Sequence, residues 1–183
     1  LDPGDINNLD DDNDGFIDNL IGWNAHSNEG DIGVNLSLSH GTNVAGCVSS
    51  MTNNETGIAS VGWSIKIMGI TNCDPGGSIT SGYEGILTAA QMRADIINNS
   101  WGSSGGPDYA QALINTVLNE YTSLIVASSG NAGTNIANYP AAFEGVVSVT
   151  STSEGSVFSC WATRHETVDI AAPGDNVFTT TTS

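Results

Sequence analysis

Five aspartates crowd into nine residues near the start of the chain: Asp10, Asp11, Asp12, Asp14 and Asp18. Counted from Asp10, carboxylates stand at positions 1, 3, 5 and 9, with Gly15 at position 6. Hard oxygens at alternate positions around a sharp glycine turn are what an EF-hand-type loop offers a calcium ion, and the carbonyl of Phe16 would add a ligand at position 7. The bidentate Glu of position 12 is absent; Ile21 stands there. A plain acidic surface run is the alternative reading, but five like charges this close repel one another unless a cation offsets them. The expectation is a structural Ca2+ held by Asp10, Asp12, Asp14, Phe16 and Asp18. Two other groups could do chemistry. His40 heads an apolar, helix-like stretch, and Asn131 offers an amide N–H from a glycine-flanked turn, Ser129-Gly130-Asn131-Ala132-Gly133. His26 and His165 have no partner at a suggestive spacing and are expected at the surface.

Such residues need a scaffold, and the chain is long enough to supply one. A domain of 183 residues buries about 70% of its unfolded surface, and 39% of this one is apolar. No run of ~18 apolar residues could cross a bilayer, so no membrane partner is expected. Three Lys+Arg stand against 20 Asp+Glu, for a formal charge of −17. So few cations could neutralise few phosphates, which argues against a nucleic-acid partner. Charged residues make up 13% where about 25% is usual, with Asn, Ser, Thr and Gly in their place. That surface suits a secreted, extracellular protein. Cys47, Cys73 and Cys160 include no CxxC pair, so zinc and redox motifs have little support. Cys47, inside an apolar stretch, is expected to be buried.

Residues 1–35 are rich in Asp, Asn and Gly without periodicity and read as a loop-rich acidic insert. Beyond His40, short apolar runs alternate with amphipathic ones. Strands are expected at 65–70, from 96, and at 124–127, 146–149 and 168–171. Ser81 with Glu84 makes a capping box, followed by Tyr83, Ile86, Leu87 and Ala90 on one helix face. Pro107-Asp108 opens a second helix with Tyr109, Ala112, Leu113 and Val117 as its stripe. Strands alternating with helices predict one α/β domain over 1–183, a mainly parallel sheet with helices on both faces. In such sheets ligands bind beyond the carboxyl ends of the strands. Two of these ends are Asn99-Ser100-Trp101-Gly102 and Ser128-Ser129-Gly130-Asn131.

Five segments together resemble one family. His40-Gly-Thr-Asn-Val-Ala-Gly46 is similar to the histidine signature of the subtilisin-like serine peptidases, the subtilases. Residues 96–102, IINNSWG, resemble their substrate-binding strand, and residues 126–133, VASSGNAG, the segment with their oxyanion-hole asparagine. Tyr139-Pro-Ala141 and Ala171-Ala-Pro-Gly174 follow in the family's order. The resemblance implies a three-layer α/β/α fold and peptide hydrolysis by Ser-His-Asp acyl transfer. His40 would be the general base and Asn131 the donor to the oxyanion. Ser100, Trp101 and Gly102 would offer main-chain hydrogen bonds to an extended polypeptide, a β-augmentation mode. Ser128, Ser129 and Gly130 would wall the other side of the primary specificity pocket. Trp101 could equally be core, since only its backbone is needed. Many bacterial members carry a similar acidic insert ahead of the His motif.

Two motifs of the family are missing from these 183 residues. The orienting Asp belongs to an Asp-Thr-Gly-like motif at the end of an apolar strand. Asp31-Ile32-Gly33 is a superficial match, but it sits in loop only nine residues before His40 and is rejected. No Gly-Thr-Ser follows Ala171-Ala-Pro-Gly174. Ser39 stands where Gly is common, and Asn43 where a second His is common. The expectation is an internal segment of a longer catalytic domain, with the rest of that domain as its partner, and inactive alone. A noncatalytic subtilase-like module that binds peptide or calcium is the alternative.

Overall fold

Backbone N–H and C=O groups must find partners, and here short strands find them side by side. The computed structural model describes residues 6–33 and 39–181, so the acidic stretch expected over 1–35 is described over 6–33. These residues fall into two compact units, one within Leu1–Thr88 and Phe178–Ser183, the other within Ala89–Val177.

In the first unit, β1 (Gly22–Asn24) runs parallel to β2 (Gly69–Thr71), with Trp23 opposite Ile70. The strand expected at 65–70 is therefore paired only from Gly69. With a three-residue β1 beside it, residues 65–68 have no ladder partner there, and Ile65 and Ile67 are exposed. Helix α1 (His40–Ser49) starts at the histidine, as its sequence predicts. Gly46 is buried, while Val44, Ala45 and Val48 are half-buried. Cys47 is also half-buried rather than buried, and its carbonyl accepts from Val61 N at 3.0 Å. Helix α2 (Gly82–Gln91), whose residues from Ala89 on belong to the second unit, follows Ser81, whose carbonyl accepts the Gly85 N–H at 2.9 Å. Tyr83, Ile86 and Ala90 of its expected face are buried, and Leu87 is half-buried.

The second unit is built on a sheet in the order β3 (Ile96–Asn99), β4 (Leu124–Ser128), β5 (Val147–Ser153), with β7 (Ile170–Pro173) also beside β5. All four are parallel to their neighbours; only β6 (Val157–Phe158), on the end of β5, is antiparallel. Parallel neighbours need a crossover. Between β3 and β4 it is α3 (Ala110–Thr116), continued by a π-helical turn over Val117–Tyr121. Its buried residues are Ala110, Ile114 and Val117, so the expected stripe is corrected: Tyr109 and Ala112 are exposed. The helix begins only at Ala110, and its buried face is the one that carries Ala110 and Ile114 four residues on. Strand burial alternates, as pleating requires: Ile97, Ile125, Ala127, Ser148 and Thr150 are buried, Ile96 and Leu124 exposed. The observed class is the expected one, α/β with mainly parallel strands and crossover helices.

Candidate active site

Register places the strand ends. β3 pairs with β4 as Ile96–Leu124 through Asn99–Ala127, so both strands stop at the same edge. Residues 100–102 and 128–131 leave that edge next to each other, as their sequence position implies. Asn138 links them. Its Nδ2 donates to Ser128 O at 3.1 Å, and its side chain fills the space that a Cβ at Gly102 would occupy. On the β4 side, Gly130 has φ +102°, and a Cβ there would lie 3.1 Å from both Asn138 Cγ and Thr163 Oγ1. Glycine at 102 and 130 thus lets one amide sit between the two loops. The next residue, Tyr139, exchanges backbone bonds with Ser103 at 2.8 and 3.0 Å, which ties the β3 loop down further.

Within the β4 loop the hydroxyl of Ser129 is turned inward. Ser129 is buried, with its Oγ on Thr163 O at 3.3 Å and its N–H on Val149 O at 2.9 Å. Ser100 and Ser128 are half-buried, Trp101 is half-buried, and Gly102 is exposed. Asn131 follows on an exposed turn that is clamped at both ends. Thr163 N donates to Gly130 O at 3.0 Å and Gly133 N to Trp161 O at 2.8 Å. The Asn131 amide has no hydrogen-bond partner among the described residues, so its N–H groups are open to an incoming acceptor. This arrangement suits a neutral donor pointed at a charge that develops during reaction.

His40 is the first residue of α1 and is exposed; its ring has no hydrogen bond among the described residues. Asp31 lies in loop, and its Oδ1 accepts from Gly33 N at 2.8 Å, an Asx turn that engages the carboxylate locally. His26 is exposed with Nδ1 2.8 Å from Thr80 Oγ1, and His165 is half-buried beside Thr167 Oγ1 at 3.0 Å.

The acidic loop brings three of its expected ligands together. Oxygens of Asp10, Asp12 and Asp14 lie within 4.8 Å of one another. Calcium ligands at 2.3–2.6 Å from a shared ion can be no further apart than about 5.2 Å, so the three fit one ion. Gly15, at φ +95°, makes the turn expected of position 6. Local bonds shape the loop: Asp14 N donates to Asp10 Oδ1 and Asp12 Oδ1, both at 3.1 Å, and Gly15 N to Asp10 Oδ2 at 3.0 Å. Asp18 stands apart, its carboxylate taken by Asn7 N at 2.9 Å and Asn8 N at 3.0 Å. The Phe16 ring meets Trp23 edge-on at 5.0 Å, which anchors the loop to β1. The motif reading missed Asn19. It is fully buried and donates to Asp14 Oδ2 at 2.8 Å, fixing that carboxylate. It also missed Asn138 and Thr163. Only the adjacency of Asn138 to Tyr139-Pro140 hinted at a role.

Comparison with known proteins agrees with the fold. The model of the subtilase family of S8 peptidases matches residues 6–183. Thermitase of Thermoactinomyces vulgaris is 36% identical over 143 residues, covering 77% of this chain and 51% of thermitase. The halolysin-like extracellular serine protease Nep of Natrialba magadii is 32% identical over 184 residues, covering 94% of this chain and 32% of Nep. Among solved structures, the psychrophilic subtilisin-like protease Apa1 of the Antarctic Pseudoalteromonas sp. AS-11 superposes with a TM-score of 0.72 at 28% identity, over 79% of this chain and 34% of Apa1. The chain thus spans about half or less of the length of these relatives.

Proposed function

Since the chain belongs to the subtilase family, we propose that it is part of a secreted, calcium-stabilised serine endopeptidase that cleaves extended polypeptides. The observation that carries this reading is the shared edge of β3 and β4, where residues 100–102 and 128–131 emerge together and the Asn131 amide is free. In this proposal a substrate strand pairs with the main chain of Ser100, Trp101 and Gly102. Ser128, Ser129 and Gly130 flank the side chain next to the scissile bond. His40 takes the proton of a serine hydroxyl as that oxygen attacks the peptide carbonyl, then returns it to the leaving amine. Asn131 donates to the carbonyl oxygen as negative charge builds on it. Secretion is supported by relatives named extracellular proteases and by the cation-poor surface.

Calcium belongs to the same proposal. Asp10, Asp12 and Asp14 would hold the ion, with the Asp14 carboxylate set by Asn19. The ion would offset the carboxylates' repulsion and stiffen the loop that Phe16 pins to Trp23; it takes no part in peptide chemistry.

Hydrolysis of a chromogenic peptide by the full-length protein tests the function. Activity that disappears in His40→Ala supports it, and activity that survives His40→Ala refutes the assigned base. The 183 residues alone, without a Gly-Thr-Ser motif, are expected not to hydrolyse the peptide. A full-length protein that binds peptide without cleaving it would instead favour the noncatalytic module.

A further inference from the structure

The head of α1 is held by more than its own helix. Ser39, just before His40, makes no side-chain capping bond. Instead the amide of Asn43, in the orientation that satisfies both its atoms, donates to Ser39 O and to Thr180 O, each at 2.9 Å. The segment 178–181 belongs to the same unit and passes the first turns of the helix. Thr180 Oγ1 donates to Thr42 O at 2.8 Å, and Thr179 Oγ1 donates to Asn43 O. The approach is close because Gly46 has no side chain. A Cβ there would overlap Thr180 Oγ1 and lie 2.7 Å from Thr179 Oγ1. The Asn43 amide thus fixes the carbonyl of residue 39, before the histidine, while Thr180 and Thr179 fix those of residues 42 and 43, after it, and tie the turn to a strap about 140 residues away in sequence.

A helix start normally frays, because its first turn has the fewest backbone partners. His40 sits in that first turn, and a base misplaced by about 1 Å can lose up to about 100-fold in rate. We propose that Asn43 and Thr180 are positioning residues for His40: the strap fixes the first turn of α1 and so the place from which the imidazole takes its proton. Neither side chain reaches the reacting atoms; both act through the helix backbone. The inference rests on His40 being the base.

The test uses the full-length protein, with kcat and KM on a chromogenic peptide referred to active sites counted by titration. Asn43→Ala and Thr180→Val should each lower kcat about tenfold with KM changed less than about twofold. Thr180→Ser, which keeps the hydroxyl, should restore kcat to within about twofold of the parent. Should Asn43→Ala fail to fold, Asn43→Asp keeps its size while removing the donor, and the same loss is expected. Unchanged kcat in Asn43 and Thr180 variants, with only a lower unfolding midpoint, would reduce the strap to a structural contact and overturn the proposal. So would a Thr180→Ser variant as slow as Thr180→Val. Failure of the underlying reading looks different: His40→Ala itself would then be active.

Discussion

The clustered carboxylates Asp10, Asp12 and Asp14 are held by backbone groups two to five residues away, while the strand-end loops are held by partners ten to 36 residues away. Asp10, Asp12 and Asp14 accept from Asp14 N, Gly15 N and Phe16 N, all inside one turn of chain. Ser128 O and Ser129 Oγ depend on Asn138 and Thr163, and Ser103 depends on Tyr139. Local bonds close little loop entropy, so the acidic turn can form early, but they leave three carboxylates crowded together. Long-range bonds exist only when the sheet exists, and they leave the strand edge ordered without any ion. In the proposal the first region is completed by a bound cation and the second by the fold alone. Loss of calcium should therefore soften one and spare the other.

Removal of the base should have the largest effect. His40→Ala is expected to cost about 10⁶ in kcat, the size known within this family, in steady-state assays of the full-length protein. Asn131→Ala comes next, with a loss of about 10²–10³ in kcat and little change in KM, because the bond forms only in the transition state. A raised KM with kcat kept would make Asn131 a substrate-binding residue instead. Third is calcium removal. With free ion held at a hundred times Kd, binding to the native state adds about 2.7 kcal/mol, so chelator should lower the unfolding midpoint in a thermal melt. Turnover well below that midpoint should not change. A melt indifferent to chelator would sink the calcium assignment, and lost turnover at low temperature would break the contrast between the two regions. The smallest effect is expected from Gly130→Ala. It places a Cβ at φ +102° against Asn138 and Thr163 and should destabilise by about 1–2 kcal/mol in denaturant titration.

Those same long-range partners mark where sequence stopped being informative. α2 was legible because Ser81 and Glu84 frame a helix whose face repeats at Tyr83, Ile86 and Ala90. The placement of 100–102 and 128–131 at one edge followed from strand order alone. The stripe of α3 is legible only in part: Val117 is buried as expected, but nothing local distinguishes exposed Tyr109 before the helix from buried Ala110 within it. The strand at 65–70 is paired only from Gly69, since an apolar alternation shows what could pair but not whether a neighbour is present. Thr163 carries no local signal and Asn138 only its place before Tyr139-Pro140, because their function exists in their contacts. Asn19 looked like one more polar residue in a polar loop, although it is fully buried.

Whether the strand edge serves a working nucleophile is decided most directly by covalent labelling of the full-length protein with a serine-directed fluorophosphonate. One label per molecule is predicted, at a rate that falls by orders of magnitude in His40→Ala. A folded full-length protein that takes up no label would contradict the endopeptidase reading.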